Sequence, residues 1–127
     1  VRADLGDAIL DDADMAGVTL AGANLAGADA NGANLQNAVM HGTNAQAAGL
    51  RGADLSAADL TQADLTDARM QRANLRAANL SGAVLKGANL RGADLTAANL
   101  SNADLRGANL ELATLRGANT AGCRGCP

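Results

Sequence analysis

The 127-residue chain contains no Phe, Tyr or Trp, and only one Pro and one His. Without aromatic side chains it lacks the stacking surfaces on which single strands of nucleic acid usually bind. No apolar run approaches the roughly 20 residues that a membrane-spanning helix needs. We therefore expect neither a nucleic-acid partner nor a membrane span. The hydrophobic content of 48 % is enough for one domain with an aliphatic core.

A five-residue repeat fills nearly the whole chain. From Ala53 to Leu110 it reads ADLSA, ADLTQ, ADLTD and onward to ANLEL without a change of phase. In steps of five, 22 of the 24 positions from residue 3 to 118 are Ala, and 18 of the 23 from residue 5 to 115 are Leu. The position between them is Asp or Asn in 17 of 24 repeats. We therefore interpret residues 1–127 as a single repeat domain.

The period of five excludes a regular helix and a single long strand. On an α-helix a step of five rotates each Leu by about 140°, which spreads the leucines around the axis. On one strand an odd period places successive leucines on opposite faces. If the chain instead turns a corner every five residues, every Ala and Leu points inward. The sequence therefore predicts a solenoid with columns of Ala and Leu inside.

The pattern A(D/N)LXX resembles that of the pentapeptide-repeat family, in which a small residue, then Asn or Asp, then Leu or Phe precede two variable residues. The resemblance covers residues 3–122. It implies an all-β fold, a right-handed quadrilateral β-helix with four repeats per coil and about six coils. At the usual spacing of about 4.8 Å between paired strands, the rod would be roughly 29 Å long.

Stacked residues then lie four repeats apart. One outward column reads Asp14, Asn34, Asp54, Asn74, Asp94 and Thr114. Because like charges placed opposite each other destabilise a sheet, we interpret the alternation of Asp with Asn as a way to avoid repulsion.

We expect no enzymatic activity, no cofactor and no metal site. Asp11 and Asp12 are adjacent but belong to no calcium-loop pattern, and a solvated acidic surface explains them. His41 occupies an outward position, and we interpret it as an exposed histidine rather than a catalytic base. Most glycines, including Gly82, end a repeat where a corner is needed.

Residues 28–50 are the least regular part of the chain. Ala30 and Ala45 replace leucines there, and Met40 would lie on the wall opposite Ala30 in the same coil. Since Met is long and flexible, it is expected to fill the space beside Ala30. We predict a thinner core without a pocket.

Four arginines, Arg51, Arg69, Arg72 and Arg91, are predicted to share a wall of the rod. Such a wall attracts phosphates in nucleic-acid-binding proteins. The net charge of −3 and the lack of aromatic residues argue against that interpretation here.

The chain ends ANTAGCRGCP, and we interpret residues 123–127 as a short cap. Two cysteines are too few for a zinc site, and the C-x-x-C spacing lacks the His of a haem attachment motif. We expect Cys123 and Cys126 to form a structural disulfide, either with each other or with another subunit.

Charge is divided unequally between the two ends. Residues 1–50 hold six Asp and one Arg, a net charge of −5, whereas residues 51–127 have a net charge of +2. A β-solenoid exposes unpaired backbone groups at both ends unless a capping element covers them, and no such element is evident in the sequence. We expect the rods to associate with one another, head to tail, into fibres. The residues assigned to the acidic end are Asp4, Asp7, Asp11, Asp12 and Asp14, and those assigned to the basic end are Arg106, Arg116 and Arg124.

The family resemblance also implies a second candidate function. The family's best-known activity is inhibition of topoisomerases by an acidic rod that mimics DNA. This chain is only weakly acidic, and arginines interrupt its walls. A protein-interaction module of that type is therefore the alternative to a structural assembly protein, and another protein is the alternative partner.

The cysteines favour an oxidising compartment, so an extracellular, periplasmic or lumenal location is expected, with the cytoplasm as the alternative. Val1 in place of Met fits either removal of a secretory leader or a fragment of a longer chain.

The inward register predicts different effects for two neighbouring substitutions. Leu95→Asp places an unpaired charge in the core, so it should unfold or sever the rod. Thr96→Asp, one residue further and outward, should be tolerated. Thermal unfolding followed by circular dichroism measures both, and equal losses would show that the register is wrong.

Overall fold

The structure, a computed structural model, describes residues 2–127. Within that range the chain forms no helix and no extended strand. Instead, one residue in five makes an isolated parallel β-bridge, from Asp4 to Arg124, and a two-residue turn separates each bridge from the next. The prediction of an all-β fold is confirmed, although the strands are reduced to single bridge residues.

The bridges join residues that are 20 positions apart and so form four walls. Wall 1 contains residues 4, 24, 44, 64, 84, 104 and 124; wall 2 contains 9, 29, 49, 69, 89 and 109; wall 3 contains 14, 34, 54, 74, 94 and 114; and wall 4 contains 19, 39, 59, 79, 99 and 119. Each coil therefore takes 20 residues and turns four corners. We name each corner by the walls it joins, so that residues 51–52 lie on corner 2–3.

The Ala and Leu columns form the core, as the sequence predicts. Every Ala and Leu position from Leu20 to Leu105 is buried, and Leu95 is fully inaccessible to solvent. Each buried Leu contributes about 1.5 to 3 kcal/mol. Toward the ends the same columns are only partly buried, as at Leu5 and Leu115.

The repeat that begins at Ala73 shows how all five backbone N–H groups are satisfied. Asn74 donates to the preceding coil, while Leu75 and Ala77 donate to the following coil. Ala73 donates across the preceding corner. The fifth N–H, that of Arg76, has no backbone partner and donates to Oδ1 of Asn74 at 3.2 Å. Because a buried or half-buried N–H must find an acceptor, each corner favours Asp or Asn two residues before this group.

Asp and Asn side chains also link successive coils. On wall 3 the Asn74 amide donates to Asp54 at 3.1 Å, and the Asn34 amide donates to Asp14 at 3.0 Å. The alternation of Asp with Asn therefore supplies a hydrogen bond where two carboxylates would repel each other.

The last residue of each repeat, from Asp7 to Gly122, adopts a left-handed backbone conformation. Examples are Gly92 with φ of 68° and Ala97 with φ of 59°. Glycine has no steric penalty in this conformation, whereas other residues do. This requirement explains the frequency of Gly, Asn and Asp at the end of the repeats.

The least regular part of the chain, residues 28–50, contains a cavity in its core. The prediction of a core without a pocket is therefore wrong. The cavity has a volume of about 10 Å³ and lies among Ala30, Met40, Ala45 and the surrounding leucines. Met40 is buried but does not replace the volume that both alanines omit. An apolar space of this size stays dry, because water would find no polar partner there.

An ion pair spans three coils beside this cavity. Arg69 crosses the intervening coil at Gly49 and donates to Asp29 at 2.8 Å. A Cβ atom at position 49 would lie 2.8 Å from the Asp29 carboxylate and 3.0 Å from the Arg69 guanidinium. Glycine at position 49 therefore leaves the space that this ion pair occupies.

A disulfide closes the last turn of the chain. The Sγ atoms of Cys123 and Cys126 lie 2.02 Å apart, and Arg124 continues the ladder of wall 1. Gly125 lies so close to the backbone of Leu105 that a Cβ atom would approach its carbonyl carbon to 2.7 Å. Residues 123–127 thus cover wall 1 of the coil that begins at Asp104.

The corner hydrogen bonds predict the effect of truncating Asn99. Its Oδ1 accepts from the Ser101 N–H at 3.1 Å and from the Asn119 amide at 3.2 Å. Asn99→Ala should lower the free energy of unfolding by about 1 kcal/mol, because both donors lose their acceptor. Val84→Ala is the matched control, since Val84 occupies the equivalent position but offers no acceptor. Urea unfolding measures both, and equal losses would show that the side-chain acceptor has no role.

The corner carboxylates predict a loss of stability in acid. The Thr96 hydroxyl and N–H donate to Asp94, and the Thr61 N–H and hydroxyl donate to Asp59; these bonds hold the pKa of each carboxyl below its usual value. A lowered pKa stabilises the fold above the unfolded-state pKa, and this contribution disappears as the pH falls through the folded-state pKa. The free energy of unfolding should thus be constant above about pH 5 and decline below about pH 4.

Replacing both Asp59 and Asp94 by Asn should flatten that decline. Asp67→Asn is the control, because among residues 2–127 the Asp67 carboxylate accepts no hydrogen bond from a corner N–H. If the free energy of unfolding declines with acid as steeply in the double variant, the assignment is contradicted.

The same geometry makes Thr96→Asp more destabilising than the sequence suggests, since a second carboxylate would adjoin Asp94.

Candidate functional site

His41 belongs to a short polar chain that sequence reasoning missed. Its Nδ1 lies 2.7 Å from Oγ1 of Thr61, and that hydroxyl donates to Asp59 at 2.7 Å. Because the Thr61 proton is directed to Asp59, the imidazole does not activate the hydroxyl as a base would. His41 is exposed, as predicted, and the arrangement stabilises a corner. In the described part of the chain no cluster of His, Cys, Asp or Glu has the arrangement of a metal site.

The first coil presents an acidic, partly apolar end. Asp4, Asp7, Asp11, Asp12 and Asp14 are all exposed. Their carboxylates lie over the second coil, as at Asp11, which accepts from the Asn31 N–H at 2.9 Å. No ion pair neutralises any of the five within residues 2–127.

The last coil is less basic than its composition suggests. Arg106 donates twice to Asp104, at 2.8 and 2.7 Å, and Lys86 lies 3.6 Å from the same carboxylate. The Arg106 guanidinium holds the pKa of Asp104 well below its usual range, so the two charges neutralise each other. Arg116 and Arg124 form no ion pair in the described residues and are the free cations of this end.

The two end coils carry complementary backbone groups. In inner coils each Leu N–H donates to the following coil, but the N–H groups of Leu110 and Leu115 have no partner among residues 2–127. The carbonyls of Asp4 and Ile9 likewise accept nothing there, although the equivalent carbonyl of Asn24 accepts from Leu5 at 2.8 Å. Donors at one end therefore correspond to acceptors at the other.

A groove follows corner 2–3 from Arg51 to Leu112 on the last coil. It has a volume of about 560 Å³ and is lined by Arg51, Gly52, Gln71, Arg72, Arg91, Gly92 and Leu112. Arg51 donates to Gln71 at 3.3 Å, and Arg91 lies 3.4 Å from Glu111. We call these residues, together with Glu111, the arginine corner.

Arg69 does not belong to this corner, because it lies on wall 2 and pairs with Asp29. The predicted wall of four arginines is thus a corner with three. Asp11, Asn31 and Arg51 form one outward column along the same corner.

The chain belongs to the pentapeptide-repeat family. The family model for pentapeptide repeats matches eight copies, over residues 1–37, 20–56 and 93–124. Members of this family are right-handed quadrilateral β-helices, in agreement with the four ladders described above. No curated protein matches the chain significantly.

Solved structures of cyanobacterial members of the family resemble the chain. Rfr23 from Cyanothece 51142 is 36% identical with a TM-score of 0.58, over 76% of this chain and 63% of that one. HetL from Nostoc sp. strain PCC 7120, a protein involved in regulating heterocyst differentiation, is 33% identical with a TM-score of 0.53, over 97% of this chain and 72% of that one. The chain thus spans less than two thirds of the length of Rfr23.

A more distant similarity concerns the fold alone. A trypsin-treated form of QnrB1, a plasmid-mediated fluoroquinolone resistance protein, is 22% identical with a TM-score of 0.51, over 87% of this chain and 59% of that one.

Proposed function

We propose that the protein is a non-enzymatic assembly protein whose rods stack end to end. The complementary backbone groups of the two end coils carry this proposal. A copy placed on the last coil would supply carbonyl acceptors for the Leu110 and Leu115 N–H groups. It would also continue the leucine column, which is only partly buried at both ends. The rod has about six coils in this proposal, because residues 3–122 wind at 20 residues per coil.

Charge supports one direction of stacking. Five exposed Asp side chains at the first coil repel a second first coil. Arg116 and Arg124 at the last coil attract it. Contacts between unlike ends do not close a ring, so they generate open filaments.

The disulfide-closed cap determines where an incoming coil begins. Residues 123–127 already extend wall 1 beyond the last coil, so a stacked copy starts on wall 2. Each rod in a filament would then be rotated by one wall relative to the preceding rod.

An interaction module of the topoisomerase-inhibiting type is the alternative. The shared fold with QnrB1 favours it. The three arginines of corner 2–3 oppose it, since an acidic DNA mimic presents carboxylates along its length. Inhibition of DNA supercoiling by the purified protein is the assay that would favour this alternative.

We also propose an oxidising compartment, because the two cysteines form the cap as a disulfide. None of the described residues belongs to a helix long and apolar enough to cross a membrane.

Reversing the acidic end tests the stacking proposal. Changing Asp7, Asp11 and Asp12 to Lys should shorten or abolish filaments, because both ends would then be basic. Negative-stain imaging and sedimentation at several concentrations measure filament length. If the unmodified protein, with its disulfide formed, sediments as a monomer at high concentration, the proposal is wrong.

A single pair of variants provides the positional control. Asp7 and Asp67 occupy the same corner, with φ of 54° and 56°, and each carboxylate lies over a glycine of the next coil. Asp7→Lys should weaken assembly, whereas Asp67→Lys in the middle of the rod should not. Equal effects would indicate that net charge, rather than the end, controls association.

A further inference from the structure

The arginine corner carries two guanidinium groups that the rod does not neutralise. Among residues 2–127, neither Arg51 nor Arg72 forms an ion pair, and the Arg51 guanidinium donates only to the neutral Gln71. The other arginines in the middle of the rod, Arg69 and Arg76, pair with aspartates. Away from the last coil, where Arg116 and Arg124 are also unpaired, corner 2–3 therefore offers positive charge to a partner.

The backbone of this corner is shaped for close approach. Gly52 and Gly92 flank Arg72 in the same outward column, two coils apart. A Cβ atom added at Gly52 would meet no other atom within 4 Å. A Cβ atom added at Gly92 would lie 3.5 Å from Cγ of Arg72. The glycines thus form an open floor, bordered on one side by Arg51, Gln71 and Arg91.

Leu112 at the end of this groove is unfavourable for folding in two ways. Its side chain is 74% exposed. Its φ of 60° lies in the left-handed region, where a bulky side chain is strained. Among the other non-glycine residues with positive φ in residues 2–127, most are Asp, Asn or Ala. Arg72, with φ of 58°, is the second bulky residue of this corner in the same conformation. Since every corner of the rod has this conformation, it is the bulky exposed side chains at two positions of one groove that point to a role outside folding.

We propose that the arginine corner binds an acidic polypeptide segment that also carries an apolar side chain. Carboxylates of the segment pair with Arg51 and Arg72, its backbone crosses the glycine floor, and its apolar side chain packs on Leu112. Glu111 pairs with Arg91 next to Leu112 and repels carboxylates at that end, so the apolar residue is directed there. The arginine part of this site lies on the side of the rod, whereas Leu112 belongs to the last coil, so peptide binding is tested on the unassembled protein.

A peptide titration tests the proposal. The probe is a short fluorescent peptide of repeated Glu-Glu-Leu, measured by anisotropy against the full chain at a protein concentration below that of any self-association. The double change Arg51→Gln and Arg72→Gln should weaken binding about tenfold at low salt, since two exposed ion pairs are lost. Binding should also weaken as salt screens the charges.

A matched double variant removes the same charge elsewhere. Arg76→Gln with Lys86→Gln should leave peptide affinity within about twofold, because neither residue lines the groove. Circular dichroism confirms that both variants are folded. If the two double variants weaken binding equally, or if the unmodified protein does not bind the peptide, the proposal is overturned.

Two further comparisons identify the ligand class. Leu112→Asn, which suits a left-handed backbone, should weaken binding of the Glu-Glu-Leu peptide but not of a Glu-Glu-Ser peptide. Equal affinities of both peptides for the unmodified protein would remove the apolar part of the proposal. Tighter binding of a single-stranded oligonucleotide, lost in the Arg51 and Arg72 variant, would overturn the polypeptide assignment in favour of nucleic acid.

Discussion

The hydrogen bonds between successive coils are the interaction on which the rest of the structure depends. Because each repeat contributes one bridge residue, no wall is stable alone, and every coil depends on hydrogen bonds to the coil next to it. In the repeat that begins at Ala73, three backbone N–H groups serve this ladder and one closes a corner. The remaining one needs a side-chain acceptor, which explains why Asp or Asn precedes Leu in most repeats.

The same ladder explains why the end coils differ from the middle. Leu95 loses all solvent contact because coils cover it on both sides, whereas Leu5 and Leu115 are covered on one side. Each coil that is added therefore buries the leucines of the coil below it. A second copy stacked on an end would gain the same contacts that hold the interior together, which is the physical basis of the assembly proposal.

Much of the fold was predictable because a strict period leaves few options. The phase of Ala and Leu determined the inward columns, and the sequence alone placed Leu95 in the core. The cavity beside Ala30 was not predictable, since it depends on how far Met40 reaches across the coil. The link from His41 through Thr61 to Asp59 was also missed, because residues 41 and 61 adjoin only after the coil length is known. The charge of the last coil was overestimated, because the double hydrogen bond from Arg106 to Asp104 depends on side-chain geometry that composition does not contain.

The division between inward and outward positions also separates stability from recognition. Inward positions accept almost only Ala, Leu and Met, so they have little freedom to change with function. Outward positions need only satisfy a corner, and Gly or Ala would meet that need at position 112 with less strain than Leu. An exposed Leu in a strained conformation, in the same groove as two unpaired arginines, is thus better explained by a partner than by the fold. On a rod whose interior is nearly uniform, departures from the simplest corner residue are the most informative positions for locating a binding surface.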